Sequence, residues 1–242
     1  MEILGIKIDN FSREEILKKV EDFLNEEKFH QIATINPEFV LEAQKNKKFR
    51  NILTNCDLRV ADGVGIFFAF LRFGKWLKCR LTGVELMEDI LQIAERKNLN
   101  IFLASWTGSL SSWKETRDAI LKKYPKLKID GDNIDCKNTF YVLRLTSDII
   151  FCNFGAPNQE IFLDSLKHQN NAKIRLAMGV GGSFDYLTKK TPRAPKFAQI
   201  LGLEWLWRLI LEPKYRFKRV LSAVLVFPIK ILLDHKKIII NK

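Results

Sequence analysis

Residues 59–68 read RVADGVGIFF, and the one carboxylate among them, Asp62, stands where one apolar run breaks and another begins. An acid in that place has two physical uses. It can cap the following helix, because a short acceptor side chain before Gly-x-Gly satisfies a free helix N–H. It can also act as a general base, if polar neighbours and an apolar wall surround it. The polar neighbours are present in the sequence: Thr34 and Asn36 close the preceding apolar run, and Arg80 stands in CRLTGVEL. Composition alone favours the cap.

Two more stretches have residue types suited to chemistry. NFGAPNQE, residues 153–160, offers Asn153, Gly155 and Gln159 where an apolar run gives way to a helical pattern. GVGGSFD, residues 179–185, offers Gly179, Gly181 and Asp185 in the same setting. Two glycine-rich turns at neighbouring strand ends could hold a nucleotide diphosphate on free backbone N–H groups. Sterics alone also produce such turns, and neither matches the Walker or the complete dinucleotide pattern. Asp130-Gly-Asp132 has the D-x-D form of metal-binding transferases, but a solvated turn accounts for it and no metal is assigned. His30, His168 and His235 are scattered without ligand spacing, and Cys56, Cys79, Cys136 and Cys152 form no C-x-x-C pair. The cysteines read as reduced thiols, and no cofactor is implied.

These residues need elements to hold them. Short apolar runs (ILGIKI, HQIATIN, CDLRVAD, NIFLAS, KLKID, DIIFCNF and KIRLAMGV) alternate with helical patterns through the first 200 residues. Ser12 with Glu15 makes a capping box, and Asn36-Pro37 reads as N-cap and first helical position. Such alternation predicts an α/β fold: a Rossmann-like, mostly parallel sheet flanked by helices. Ligands of such sheets bind beyond the carboxyl ends of the strands. Thr34, Asn36, Asp62, Gly155, Gln159, Gly179, Gly181 and Asp185 all fall there. GIFFAFLRFGKWL reads as a packing helix whose stripe near Phe67 and Phe70 serves the core or a homo-oligomer interface.

The chain has 242 residues and a net charge of +12. Nine Lys/Arg against two acids give residues 208–242 a net +7, more than half of the excess. That balance points to an anionic partner. The composition changes near Gly202, so residues 1–202 read as the α/β core and 203–242 as a basic amphipathic helical appendage. Pro213 suits a helix start, and Phe217, Val220, Leu221, Val224 and Leu225 then form one stripe. An apolar face flanked by cations fits a membrane surface or a core-packing helix with a basic outer side. The run from Leu221 to Leu233 is too short to span a bilayer. The aromatics lie in apolar runs rather than among basic residues, which disfavours nucleic acid. The N-terminus has no signal-peptide pattern.

Six blocks in order, TINPEFVLEAQ, VADGVGI, RLTGVELMEDI, GAPNQEIFL, GVGGSFDYLTKKTPRAPKF and GLEWLWRLILEPKYRFKRVL, make the sequence resemble the WecG/TagA/CpsF family of bacterial glycosyltransferases. The resemblance implies inverting, metal-independent transfer from a UDP-sugar to a sugar on undecaprenyl diphosphate, at the cytoplasmic face of the membrane. It implies N-acetylmannosamine as the sugar moved, β-1,4 to N-acetylglucosamine, as in the teichoic acid linkage unit. It makes Asp62 the general base, with Thr34, Asn36, Arg80 and Gln159 around it. Asn153, Gly155, Gly179, Gly181 and Asp185 would lie on the nucleotide side. Arg208, Lys214, Arg216, Lys218 and Arg219 would meet the acceptor diphosphate and an anionic membrane surface. Two segments depart from the family: WTGSLSS replaces a glycine-rich turn and GDNIDC replaces a Gly-aromatic segment, both at the donor border. Some family arginines of the appendage are lysine or tyrosine here. The alternatives are the same chemistry with another donor, UDP-ManNAcA or UDP-glucose, and a non-catalytic basic membrane-binding module.

Overall fold

The structure is a computed structural model and describes residues 1–135, 146–167 and 173–234. The first apolar run, expected as one strand, folds back on itself. Leu4 and Gly5 have positive φ, 46° and 79°, so β1 (Glu2–Ile3) and β2 (Ile6–Lys7) pair as a hairpin around a two-residue turn. Helix α1 (Arg13–Asn25) opens on the Ser12–Glu15 capping box. Strand β3 (His30–Ile35) follows, and Asn36 caps α2 (Pro37–Ala43) by accepting the Phe39 N–H at 3.1 Å. Next come α3 (Lys47–Asn55), β4 (Leu58–Ala61), α4 (Val64–Arg72) and α5 (Gly83–Lys97). Then follow β5 (Asn100–Trp106), α6 (Trp113–Leu121), β6 (Lys128–Ile134) and β7 (Ile149–Cys152). Helix α7 (Asn158–Leu166), β8 (Leu176–Gly179) and α8 (Ser183–Leu187) complete the alternating part.

Strands β3 to β8 form one sheet in the order β4-β3-β8-β7-β5-β6, with every neighbouring pair parallel. Strands β3, β4, β7 and β8 are buried along their whole length, as continuous apolar runs in a parallel sheet require. Side chains alternate between faces. Ile32, Leu58, Val60, Ile101, Leu103 and Met178 join α1, α5 and α8 in one core cluster. Ala33, Ile35 and Ala61 turn the other way, onto α2, α3, α4 and the hairpin. Phe102, Ala104, Ile150 and Ala177 pack against α7 on that second side. Among the described residues β6 is an edge strand, and Lys128, Asp130 and Asp132 give it the charges that discourage further strand pairing.

The C-terminal part begins with α9 (Lys196–Ile200), α10 (Glu204–Leu211) and α11 (Pro213–Leu221), the last starting at the expected proline. A π turn (Ser222–Val226) then leads into α12 (Phe227–Leu233). The wide turn lies just before Pro228, which lacks an N–H and crowds the carbonyl four residues back. The division expected at residue 202 does not separate two cores. Phe227 and Ile231 are buried among Phe39, Val40, Ile66 and Phe70, and Phe227 lies over Gly65 and Pro37. Of the expected stripe, only Val220 is buried, and Phe217, Leu221, Val224 and Leu225 face outward. Phe227→Leu should therefore lower unfolding free energy by about 1 kcal/mol, while Phe217→Leu should stay within about 0.5 kcal/mol. Urea unfolding of the two variants checks this, and equal effects would show that α12 is not part of the core.

Candidate active site

At the carboxyl ends of β3, β4 and β8 the C-terminal helices meet the loops, α9 through Gln199, α10 through Arg208 and α12 through Phe227. Asp62 is the first residue after β4, and its backbone N–H donates to the Ile35 carbonyl at 2.8 Å, which ties it to the end of β3. It is not the cap of α4. That position belongs to Gly63, whose φ of 81° explains the glycine, and no side chain caps the helix there. The carboxyl of Asp62 is pushed up to about 7. Burial is the main cause and the Glu204 charge adds to it; the Arg80 charge and the Gly63 N–H oppose it. A carboxyl poised near neutrality can both take and return a proton.

Arg80 reaches across the crevice and donates to the Gln199 carbonyl at 2.8 Å, holding α9 against the loop before α5. Thr34 is 6% exposed, and its hydroxyl lies beside Gly83, the first residue of α5. A Cβ built on Gly83 would stand 3.5 Å from Thr34 Oγ1, an ordinary contact. Asn36 uses one lone pair of its amide oxygen on the α2 cap, which fixes the side chain and leaves Nδ2 as its donor for a ligand.

The two glycine turns are joined by one atom. Gln159 Oε1 accepts from the Gly155 and Gly181 N–H groups, each at 3.1 Å. Gln159 is 3% exposed, so it is the brace between the turns rather than a side chain lying open in the crevice. Gly155 and Gly181 have φ of 74° and 49°, and a Cβ on either would meet nothing within 4 Å. Both turns therefore need glycine for their backbone and leave open space for a ligand. Gly179 differs: a Cβ there would lie 2.4 Å from Gln159 Nε2 and 2.7 Å from Glu160 Oε1. It makes room for the brace. Asn153 Oδ1 accepts the Trp106 N–H at 2.6 Å, and Asp185 Oδ1 accepts the Ser111 hydroxyl at 2.7 Å. Both side chains stitch the β5–α6 loop to the centre of the sheet.

The second wall comes from the C-terminal helices. Arg208 on α10 stacks over the Tyr186 ring at 5.1 Å, and its Nη2 lies over Gly182. Its Nε and the Tyr186 hydroxyl are buried without a partner. Burial, first of all, holds the Tyr186 hydroxyl up at about 12, so it stays a donor. Arg216 pairs with Glu212 at 2.7 Å, and burial followed by the Arg208 charge lowers its pKa. Arg219 binds Glu38 on α2, with Nε at 3.0 Å, away from the Arg208 cluster. Lys214 is exposed. The Lys218 side chain, Cys136, His168 and His235 lie outside the described residues.

Sequence reading missed Tyr186, Arg193, Glu204 and Glu85. Arg193 lies between Glu85 at 3.8 Å and Glu204 at 3.6 Å and links the two walls. Glu85 carried a signal, since Thr82 and Glu85 form a capping box. His30 lies at the other end of the sheet. It stacks on Phe23 at 4.1 Å between Glu26 and Asp57, at the amino end of β3.

The ends of the parallel strands thus carry two open glycine turns, a guanidinium over Gly182 and a carboxyl of raised pKa. The model of the glycosyl transferase WecG/TagA/CpsF family matches residues 1–238. The chain belongs to that family. A relative from Bacillus spizizenii, named N-acetylglucosaminyldiphosphoundecaprenol N-acetyl-beta-D-mannosaminyltransferase, is 31% identical over 83% of this chain and 78% of its own length. One of the same name from Staphylococcus aureus is 29% identical over 98% of this chain and 94% of its own. The Bacillus subtilis protein of that name is 31% identical over 79% of this chain and 75% of its own. The protein is thus a glycosyltransferase on a Rossmann-like sheet. In this WecG/TagA/CpsF member the two departing segments meet at the ends of β5 and β6. They line a cavity of about 270 Å³, with Trp106, Ser109, Leu110 and Asn133 in its wall.

Proposed function

We propose that the protein moves N-acetylmannosamine from a UDP donor to N-acetylglucosamine on undecaprenyl diphosphate, with inversion. The observation that carries this is Asp62 at the end of β4, its carboxyl raised to about 7 by burial and by the Glu204 charge, with Arg80 acting on it. In the proposed step an Asp62 oxygen takes the proton of the acceptor hydroxyl. That oxygen attacks the anomeric carbon, the bond to the diphosphate oxygen breaks, and UDP leaves from the opposite face. The Gly155 and Gly181 turns carry the donor backbone-side, and Arg208 meets the charge that grows on the departing diphosphate. Thr34, Asn36 Nδ2 and Arg80 orient sugar hydroxyls. Gln159, Asn153, Gly179 and Asp185 act by shaping the turns.

The acceptor's lipid tail calls for a membrane face. Phe68 on α4, Phe197 and Ile200 on α9, and Ile229 and Leu232 on α12 are 54–78% exposed. Together with Lys214 and the basic C-terminus they support peripheral attachment to the inner leaflet. Among the described residues no helix is long and apolar enough to cross a membrane. The functional division we propose is a catalytic core, residues 1–202, and an appendage, residues 203–242, that closes the crevice and meets the lipid.

The test is UDP release from UDP-N-acetylmannosamine with a lipid-diphosphate-linked N-acetylglucosamine acceptor on anionic vesicles. Turnover should need both substrates and should survive EDTA. Asp130 and Asp132 spend an oxygen each on the next backbone N–H, at 2.8 Å, on the edge strand. Activity lost to EDTA and restored by Mn²⁺ would refute the metal-independent reading. Release only with UDP-N-acetylmannosaminuronic acid or UDP-glucose would move the donor assignment and keep the chemistry.

A further inference from the structure

Glu160 is 1% exposed, follows the brace residue directly and has no part in the proposed transfer step. Its Oε1 accepts from Gln159 Nε2 at 2.7 Å, inside the space that Gly179 leaves open. Its Oε2 is buried without a partner. The Gln159 amide has two ends of similar shape and opposite polarity. Only one orientation presents an acceptor to the Gly155 and Gly181 N–H groups; the other would set an NH₂ against two donors. The two turn N–H groups select that orientation from one side. The Glu160 acceptor on the far side of the amide locks it from the other.

We infer that Glu160 is a positioning residue that locks the Gln159 amide in the orientation the glycine turns require, and through it holds the spacing of the two turns on which the donor is held. The last clause rests on the proposed donor site; the first does not. Burial raises the Glu160 carboxyl to about 8, against the hydrogen bonds from Gln159 and from its own backbone. The acid is therefore neutral at pH 7, and its ionisation places an unpaired charge beside the brace. Few groups face it. Cys56, just past the end of α3, carries a thiol pushed up by burial and next by Glu160; the Arg59 charge opposes this, and Asp57 and Asp164 add to it. From β3 the Gln31 amide donates to the Glu160 carbonyl at 3.3 Å, and β8 carries no titratable side chain between Leu176 and Gly179.

Amide hydrogen exchange on the full chain reads the brace directly. At pH 7 the Gly155 and Gly181 amides should be protected in the wild type and in Glu160→Gln. In Glu160→Leu they should lose protection about tenfold or more, while the Asp62 N–H, bonded to Ile35, stays as in the wild type. From pH 7 to pH 9 their protection factors should fall in the wild type and hold in Glu160→Gln. Unchanged protection in Glu160→Leu, or a Glu160→Gln variant as unprotected as the leucine one, would overturn the inference. If the leucine variant does not fold, an identical pH dependence in wild type and Glu160→Gln overturns it instead. UDP titration at pH 7 tests the link to the donor: Glu160→Leu should bind UDP about tenfold more weakly than the wild type. Equal affinity would break that link. A wild type that binds no UDP would refute the donor site, with the exchange result still deciding the role of Glu160.

Discussion

Asp62→Asn is expected to lower kcat by roughly two to four orders of magnitude, the usual contribution of a general base, with UDP affinity retained. The amide keeps the shape of the carboxyl and cannot accept the proton. The wild-type kcat/KM should fall tenfold per pH unit below about 7, where the carboxyl takes up its proton. That acid limb should be missing from the residual activity of the variant. Stability should move the opposite way. Below pH 4 the group is protonated folded and unfolded and contributes nothing. Between about 4 and 7 it ionises in the unfolded chain only, so rising pH weakens the fold. Above 7 the penalty is complete and constant. Partial exposure of Asp62 reduces it, to roughly 1–2 kcal/mol. Asp62→Asn should therefore unfold at higher temperature than wild type at pH 8 and at the same temperature at pH 4. Near wild-type turnover in the variant would remove Asp62 from the chemistry.

Arg208→Ala should cost about 100- to 1,000-fold in kcat, the scale set by removing one preorganised charge from a transition state. The guanidinium carbon lies over the Tyr186 ring and one nitrogen over Gly182, and its Nε is buried without a partner. A cation so placed gains most when a diphosphate leaves with its full charge. The loss should thus appear in kcat more than in the donor KM. Arg208→Lys should recover only part of the rate, because an ammonium keeps the charge and loses the planar stack. An alanine variant that raises KM and leaves kcat alone would make Arg208 a ground-state contact. One with wild-type kinetics would leave the α10 wall without a part in the reaction.

Much of the molecule was legible in the residues. Ser12 with Glu15 and Asn36 with Pro37 act within four positions of themselves, and they start helices where local rules place them. The seven apolar runs all lie in strands, although ILGIKI bends at Leu4 and Gly5, where two positive φ values turn a strand into a hairpin. The ordered family blocks selected glycosyl transfer and singled out Asp62. Strand order, by contrast, rests on pairing between segments distant in sequence: β8 inserts beside β3, and β7 between β8 and β5. No local rule determines that order, yet it decides which strand ends share a crevice. The same limit applies to single side chains. Gln159 reads as a ligand residue until its oxygen meets an N–H 22 positions away, and Asp185 until it meets Ser111, 74 positions away. Phe227 falls in the apolar run Leu221 to Leu233 of the appendage in sequence and in the core in space. A polar group satisfies its hydrogen bonds with whatever the fold brings near, so its type is set by the sequence and its use by tertiary contacts.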